Sequence, residues 1–470
     1  MRFLFSFLLV IGLAVMFVVP TTDTDFGWHL RCGQDFLQSG QFCFQNRYSY
    51  FLPDYFWGYS TLVYDLILAV VYNNFGFLGV ALSLGLVVGL LATIFSARFL
   101  KSETIGLSLF TFLFFSFSVL QVGFRPQIMA YLFFLLSLLL IERLIKNEAD
   151  FKPWLHILFY LVLVLWVNTH PSFILAVVLY SLFCLFQIFN KRYFYLLPWL
   201  LIWLVALINP VGNKVYLELF NHYNTDLSKL IAEWTAPKPI LRVGILLTLA
   251  PTLVFLWRQK KHLTDEPIFD SLFLLFLGMI SFGAKRHLPL YGLFLVFVWE
   301  KKRLWTYVVN KLKLPIKLIN YSLIALVCFL ALDSFSKIAK VKNFQTWYCE
   351  NALVKQPCRA VKTLKNNSDN IFTMYEWGGY LIWKMPKAKV FVDGRMPAWQ
   401  TSSGKSPYTI YLEIIQARPG WQQTLAKYQT DSLLIAPGTF LDLELKNNPN
   451  SNWKLTKQLD NAVFYKRVKQ

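Results

Sequence analysis

Two aspartates, Asp23 and Asp25, stand two residues apart in Thr21-Thr-Asp-Thr-Asp-Phe-Gly-Trp-His-Leu30, directly after the first long apolar run of the chain. Carboxylates at a membrane boundary are costly to hold and often serve function. With His29 nearby, the pair is of a type that holds Mg²⁺ or Mn²⁺. Their i, i+2 spacing projects both side chains together only from an extended segment. The plainer alternative is that Asp25 caps a helix from Phe26 to Ser39, closed by Gly40, with His29 one turn along the same side. Cationic groups stand elsewhere. Arg125 precedes Pro126, where it either meets an anion or snorkels from a helix end. Lys285-Arg286-His287 has the chemistry of a phosphate-binding cluster. Glu233 either binds a cation or pairs with Lys238.

The elements that position these residues follow from composition. The chain has 470 residues, of which 56% are hydrophobic and 18% aromatic, and a mean hydropathy of +0.46. That exceeds the apolar content of soluble domains and implies an α-helical polytopic membrane protein. The formal net charge of +20 would suggest nucleic acid if the basic residues formed one stripe. They lie instead in short clusters between apolar runs, which argues against a nucleic-acid partner and for contact with membrane lipid.

Transmembrane segments are expected at about 3–20, 77–97, 104–120, 127–145, 154–168, 172–190, 194–209, 241–257, 268–283, 287–300 and 318–336, about eleven helices in all. With the N-terminus in the cytoplasm, every second connection is the basic one, from Arg98 and Lys101 to Lys301, Lys302, Arg303, Lys311, Lys313 and Lys317; positive-inside bias requires this phase. It places Asp23, Asp25, a loop at 210–240 and everything after residue 337 outside the plasma (inner) membrane. The Lys285-Arg286-His287 cluster then runs against the charge bias, which strengthens its phosphate reading. No small-x-small pattern precedes Pro20, so the first run reads as an uncleaved helix rather than a signal peptide. Within the first outer segment, 21–76, residues 59–75 read as a helix lying at the interface.

After residue 343 the apolar runs shorten and an extracytoplasmic α/β domain is expected over 343–470, following a transmembrane domain over 1–340. Strands are expected at 370–375, 389–392, 432–436, 454–459 and 462–468, and helices at 352–364, 408–428 and 440–446. Trp377-Gly-Gly-Tyr380 and Asp393-Gly-Arg395 read as turns after strands. Both turns, Asp393 and Arg395 included, are also candidates for lining a ligand path, because ligands favour the carboxyl ends of strands in open α/β sheets. Cys184 and Cys328 lie in apolar spans. Cys32 with Cys43, and Cys349 with Cys358, form two local disulfides or remain four buried thiols. Neither spacing suggests zinc.

Taken together, Asp23-Thr-Asp-Phe-Gly-Trp-His-Leu-Arg-Cys-Gly33, Arg125-Pro-Gln127, Trp166-Val-Asn-Thr-His170, Asn209-Pro-Val-Gly212, Glu233-Trp234, Arg286-His-Leu-Pro289, Trp377-Gly-Gly-Tyr380 and Val392-Asp-Gly-Arg395 span nearly the whole chain. Their order and outer-face placement resemble a broad group of bacterial polytopic membrane proteins in the GT-C glycosyltransferase superfamily. Two positions depart from the pattern. Gly27 replaces an aromatic residue, and Ser60-Thr61 stands where relatives often carry His-Glu. The resemblance therefore carries no catalytic residue over to the start of the 59–75 helix.

The resemblance implies transfer of a sugar from a polyprenyl-phosphate carrier to a glycan, lipid or protein acceptor on the non-cytoplasmic face, with inversion at the anomeric carbon. Such chemistry needs a general base for the acceptor hydroxyl, assigned to Asp23 or Asp25, the other orienting it or holding a metal. It also needs cations or donors for the departing lipid phosphate, and Arg125, Lys285, Arg286, His287 and His170 are the candidates. His29, Glu233, Asp393 and Arg395 complete the expected substrate contacts. The contrasting expectation is a non-enzymatic scaffold or a lipid-linked glycan transporter, which would carry charged residues or broken helices midway along several spans.

Overall fold

The apolar segments fold as helices, several opened by a proline at the first helical turn, where a missing amide hydrogen costs nothing; Pro126, Pro153 and Pro239 are examples. The computed structural model describes residues 2–58, 61–147, 151–260, 262, 266–350, 354–364, 367–401, 404–448, 451–459 and 461–468. Among these, six helices are long and apolar enough to cross a membrane: Leu62–Arg98, Pro126–Lys146, Pro171–Phe189, Ala232–Gln259, Glu266–Gly283 and Ile316–Ala339. Four more apolar helices are shorter: Phe5–Met16, Ile105–Leu120, Pro153–Val167 and Tyr193–Val205. The fold is that of a helical membrane protein.

One expected pair of elements is joined. The segments 59–75 and 77–97 form a single kinked helix, Leu62–Arg98, broken at Gly76 (φ 60°, ψ −153°). Glycine adopts that backbone without the clash a side chain would meet. Tyr59 and Ser60 lie outside the described residues.

The chain divides into two compact units. The first comprises Met1–Val19, Val80–Asn213 and Ala232–Val341. At its centre the Leu288–Lys301 helix is buried from Leu288 to Glu300 and packs against the Ile105–Leu120, Pro126–Lys146 and Glu266–Gly283 helices. A helix apolar on all sides belongs in such a place. The Ile316–Ala339 helix instead packs on Arg2–Met16 and presents Leu318, Phe329, Leu332 and Phe335 outward, the surface a lipid environment accommodates. Charged groups are paired near helix ends, as burial requires: Glu142 with Arg98 and Lys146, and Asp270 with Lys301 at 2.7 Å.

The second unit comprises Pro20–Gly79, Lys214–Ile231 and Lys342–Gln470. Its five-stranded sheet contains β1 (Asn370–Thr373), β2 (Lys389–Val390), β3 (Ser432–Ile435), β4 (Trp453–Leu459) and β5 (Ala462–Arg467), in the order β2-β1-β3-β5-β4. β1 pairs in parallel with β2 and β3; β5 is antiparallel to β3 and β4. β3 is buried along its length, as a continuous apolar run requires, whereas β4 at the edge is largely exposed. The expected 408–428 helix is two helices, Pro407–Ile415 and Trp421–Lys427, separated by Ala417 (φ 50°), Pro419 and Gly420 (φ 94°). The left-handed backbone at Ala417 and Gly420 ends one helix and admits the next. Of the expected 352–364 helix only Cys358–Leu364 is helical, and 352–353 lie outside the described residues.

Both local disulfides are formed, Cys32–Cys43 with Cα atoms 5.6 Å apart and Cys349–Cys358 with 5.9 Å. The Phe26–Ser39 helix lies against the Gly378–Lys384 helix. A Cβ on Gly27 would come 2.5 Å from the Gly379 carbonyl carbon, and one on Gly379 would come 2.5 Å from the Thr24 carbonyl oxygen. This close crossing accounts for glycine at both positions.

Candidate functional site

In the second unit the Asp23-Thr-Asp25 segment is a turn, not the extended stretch that would project both carboxylates together. Asp25 has φ −83° and ψ −13°, and its amide donates to Asp23 Oδ1 at 3.2 Å. Asp23 is 3% exposed and Asp25 is half-buried. Asp25 occupies the N-cap position of the Phe26–Ser39 helix, but its side chain makes no cap hydrogen bond. Its carboxylate lies instead against Gly394, where a Cβ would collide with Oδ1. The capping role is thereby corrected. The Asp393-Gly-Arg395 loop gives Asp25 a backbone seat that any side chain at 394 would fill.

That loop is braced from within. Arg395 donates through Nε to Asp393 Oδ1 and through Nη2 to Oδ2, both at 2.7 Å, and neither side chain has any exposed surface. Arg395 also donates to Asn46 Oδ1 at 3.3 Å and lies over the Tyr48 and Trp399 rings. Burial works against its charge, but the Asp393 carboxylate holds the guanidinium ionised. The structure places Asp393 and Arg395, expected among the substrate contacts, in a buried pair with each other. Arg395 Nε and Nη2 are committed to the Asp393 carboxylate in a bidentate pair, while its buried Nη1 has no hydrogen-bond partner among the described residues.

Two phenols flank the aspartates. Tyr348 donates to the Asp23 carbonyl oxygen at 3.2 Å, and Tyr375 lies within the field of Asp25 and Asp393. Burial first, and then the neighbouring carboxylates, push both phenols well above their ordinary pKa. They therefore stay protonated as donors.

His29 is turned to a partner that its sequence neighbours do not supply. Its Nδ1 lies 2.6 Å from Asp65 Oδ1, and Thr61 donates to Asp65 Oδ2 at 2.8 Å. The carboxylate fixes the ring with Nδ1 protonated. Trp28 stacks on the imidazole at 3.5 Å between centroids, and Trp57 meets Trp28 edge-on at 5.5 Å. Beyond Trp57 lies a residue that sequence reasoning missed. Glu218, on the Lys214–Asn224 helix, is buried, and the Gly58 amide and the Asn221 side chain bond to it. Burial pushes its carboxyl up to about 7 against those hydrogen bonds, so it titrates near neutrality, as acid–base groups at functional sites do. Nothing local distinguishes Glu218 from any acid on an amphipathic helix.

The first unit gathers a separate group. Arg125 pairs with Glu233, which corrects both the snorkelling reading of Arg125 and the pairing of Glu233 with Lys238. The fields of Arg286 and Lys285 also act on the Glu233 carboxylate. Arg286 stacks over Trp234 at 4.5 Å, and His287 meets the same ring edge-on at 5.9 Å. The Lys285 amide donates to the Thr235 carbonyl oxygen at 3.0 Å, tying the two short segments together. His170 serves its own turn. Its ring accepts from the Ser172 amide at 3.2 Å, capping Pro171–Phe173, and its Nδ1 lies 2.7 Å from the Ser172 hydroxyl.

No family model matches this sequence, and no curated protein matches it. Among the described residues no group of three or more His, Cys, Asp or Glu side chains is placed to hold one metal ion. His29, the expected third ligand beside Asp23 and Asp25, is committed to Asp65. The geometry thus offers a braced, half-buried carboxylate in one unit and an arginine-rich cluster in the other.

Proposed function

We propose that this chain is an integral membrane glycosyltransferase of GT-C-like architecture, with about eleven crossings, a cytoplasmic N-terminus and the C-terminal α/β domain outside the plasma membrane. It moves a sugar from a polyprenyl-phosphate carrier to an acceptor hydroxyl. The observation that carries this reading is the setting of Asp25. Its half-buried carboxylate is seated on the Gly394 backbone, with Asp23 holding its amide and two protonated phenols beside the pair.

In the proposed step Asp25 accepts the proton of the acceptor hydroxyl as that oxygen attacks the anomeric carbon, while Asp23 orients the turn. The bond from the anomeric carbon to the phosphate oxygen breaks with inversion, and the polyprenyl phosphate leaves with the electron pair. Within the first unit Arg286 and Lys285 have the chemistry to hold a lipid phosphate, and Arg125 pairs with Glu233 there. Ion pairs lying near helix ends, rather than midway along, favour surface chemistry over a transport path.

The test uses purified full-length protein with a panel of polyprenyl-phosphate sugars, following release of polyprenyl phosphate. Asp25→Asn is expected to lower the rate about 10²- to 10⁴-fold with the fold retained. Arg286→Gln is expected to weaken donor binding about tenfold or more. Undiminished transfer by folded Asp25→Asn would remove the base assignment.

A further inference from the structure

The far smaller Leu304–Lys311 helix joins two apolar helices, Leu288–Lys301 and Ile316–Ala339. Beside it a cavity of about 1290 Å³ opens within the first unit. It lies where the Leu62–Arg98 and Leu288–Lys301 helices end and the Ile316–Ala339 helix begins. That is the level at which a lipid headgroup meets a membrane protein.

The lining carries five cationic side chains against two acidic ones. Some of that charge is already balanced: Arg98 pairs with Glu142, Lys301 with Asp270, and Glu300 accepts from the Thr104 and Ser108 hydroxyls. Arg303 and Lys313 are different. Among the described residues neither has an acidic partner. Both are held in left-handed backbone, φ 55° and 50°, at the two ends of the short helix. Glycine would take those positions without strain, so the chain keeps a cation where local geometry favours none. Leu100, 43% exposed, and Leu314 supply an apolar wall. Trp305 packs edge-on against Trp299, and Tyr307 is 52% exposed on the same helix; such residues are enriched at headgroup level.

We propose that this cavity is a binding site for the headgroup of an anionic phospholipid, with Arg303 and Lys313 as its phosphate contacts. The mixture of cations and exposed leucine fits an amphiphile better than a free anion. The site is independent of sugar transfer.

The experiment is native mass spectrometry of the full-length protein with phosphatidylglycerol or phosphatidylethanolamine added. The parent is expected to retain phosphatidylglycerol preferentially. Arg303→Asn with Lys313→Asn removes both charges, and asparagine tolerates left-handed backbone. The double variant is expected to bind phosphatidylglycerol about thirtyfold more weakly, and Lys313→Asn alone, which serves if the double variant fails to fold, about fivefold. Arg143→Gln with Lys152→Gln, basic positions outside the cavity, is expected to leave binding unchanged. Equal retention of both lipids by the parent would overturn the proposal. So would an equal loss in the two double variants, which would mean only diffuse attraction to a basic surface, and so would unchanged binding by Lys313→Asn.

Discussion

Replacing Gly27 by alanine sets two effects of opposite sign against each other. A methyl carbon there would lie 2.5 Å from the Gly379 carbonyl carbon and 3.0 Å from the Tyr380 amide nitrogen. Ordinary carbon contacts begin at about 3.5 Å, so the helices must part by about 1 Å, and backbone atoms cannot rotate aside. Overpacking of this kind costs about 3 kcal/mol. The better helix propensity of alanine returns about 1 kcal/mol. The net loss of about 2 kcal/mol lowers the melting temperature by about 4–8 °C for a unit of this size. Gly394→Ala is the informative contrast. The obstacle there is the Asp25 carboxylate, the end of a side chain that can turn away at a cost of about 1 kcal/mol. Gly394→Ala should therefore keep most of its stability yet lose the proposed sugar transfer, because the carboxylate leaves its seat. Tryptophan fluorescence during heating, at one fixed scan rate because unfolding of such proteins is commonly irreversible, measures both variants. A Gly27→Ala protein melting at or above the parent would refute the close-crossing argument.

Glu218 makes stability pH-dependent. Its carboxyl is raised from 4.5 to about 7, so the folded state binds the proton more tightly than the unfolded chain does. The stabilisation is full below pH 4.5 and is lost as the pH rises through 7, about 3 kcal/mol in all. Glu218→Gln should melt higher than the parent at pH 8, with the advantage gone at pH 4, and parallel melting curves at both pH values would contradict this. Replacing Cys32 and Cys43 together by serine should cost about 3 kcal/mol for a loop of that length, seen as earlier unfolding in urea; an unshifted midpoint would show that the bridge does not stabilise the fold. A Thr401→Cys variant should react with a membrane-impermeant maleimide in cells whose outer barrier has been opened, whereas protection until lysis would place the C-terminal domain in the cytoplasm.

Local features were legible in the sequence and long-range partners were not. The Phe26–Ser39 helix with its Gly40 cap, the five strands and the positions of the apolar helices follow from periodicity, turn residues and run length, all read within a window of a few residues. The two-helix break near Gly420 was missed because apolar spacing continues across it. The partners of the candidate site arise from residues far apart in the chain: Asp65 for His29, Gly394 for Asp25, Glu233 for Arg125. No local pattern encodes such pairings. Gly27 was visible as an irregularity, and the crossing with Gly379 supplies its cause.

The β2 edge of the sheet carries a consequence for biosynthesis. The Val390 amide donates to the Tyr48 carbonyl oxygen at 2.9 Å, and the Tyr50 amide to the Val390 carbonyl oxygen at 3.2 Å, so a stretch made early in translation seals a strand made more than 300 residues later. Until the ribosome has delivered the final segment, that early stretch must wait unpaired, and a C-terminal fragment made alone would expose the strand to others like it. The two disulfides close loops of only 11 and 9 residues, so each piece can be stapled during the wait. Assembly of the second unit is thus expected to be the last and slowest event in maturation, and the point at which an export or quality-control defect would first appear.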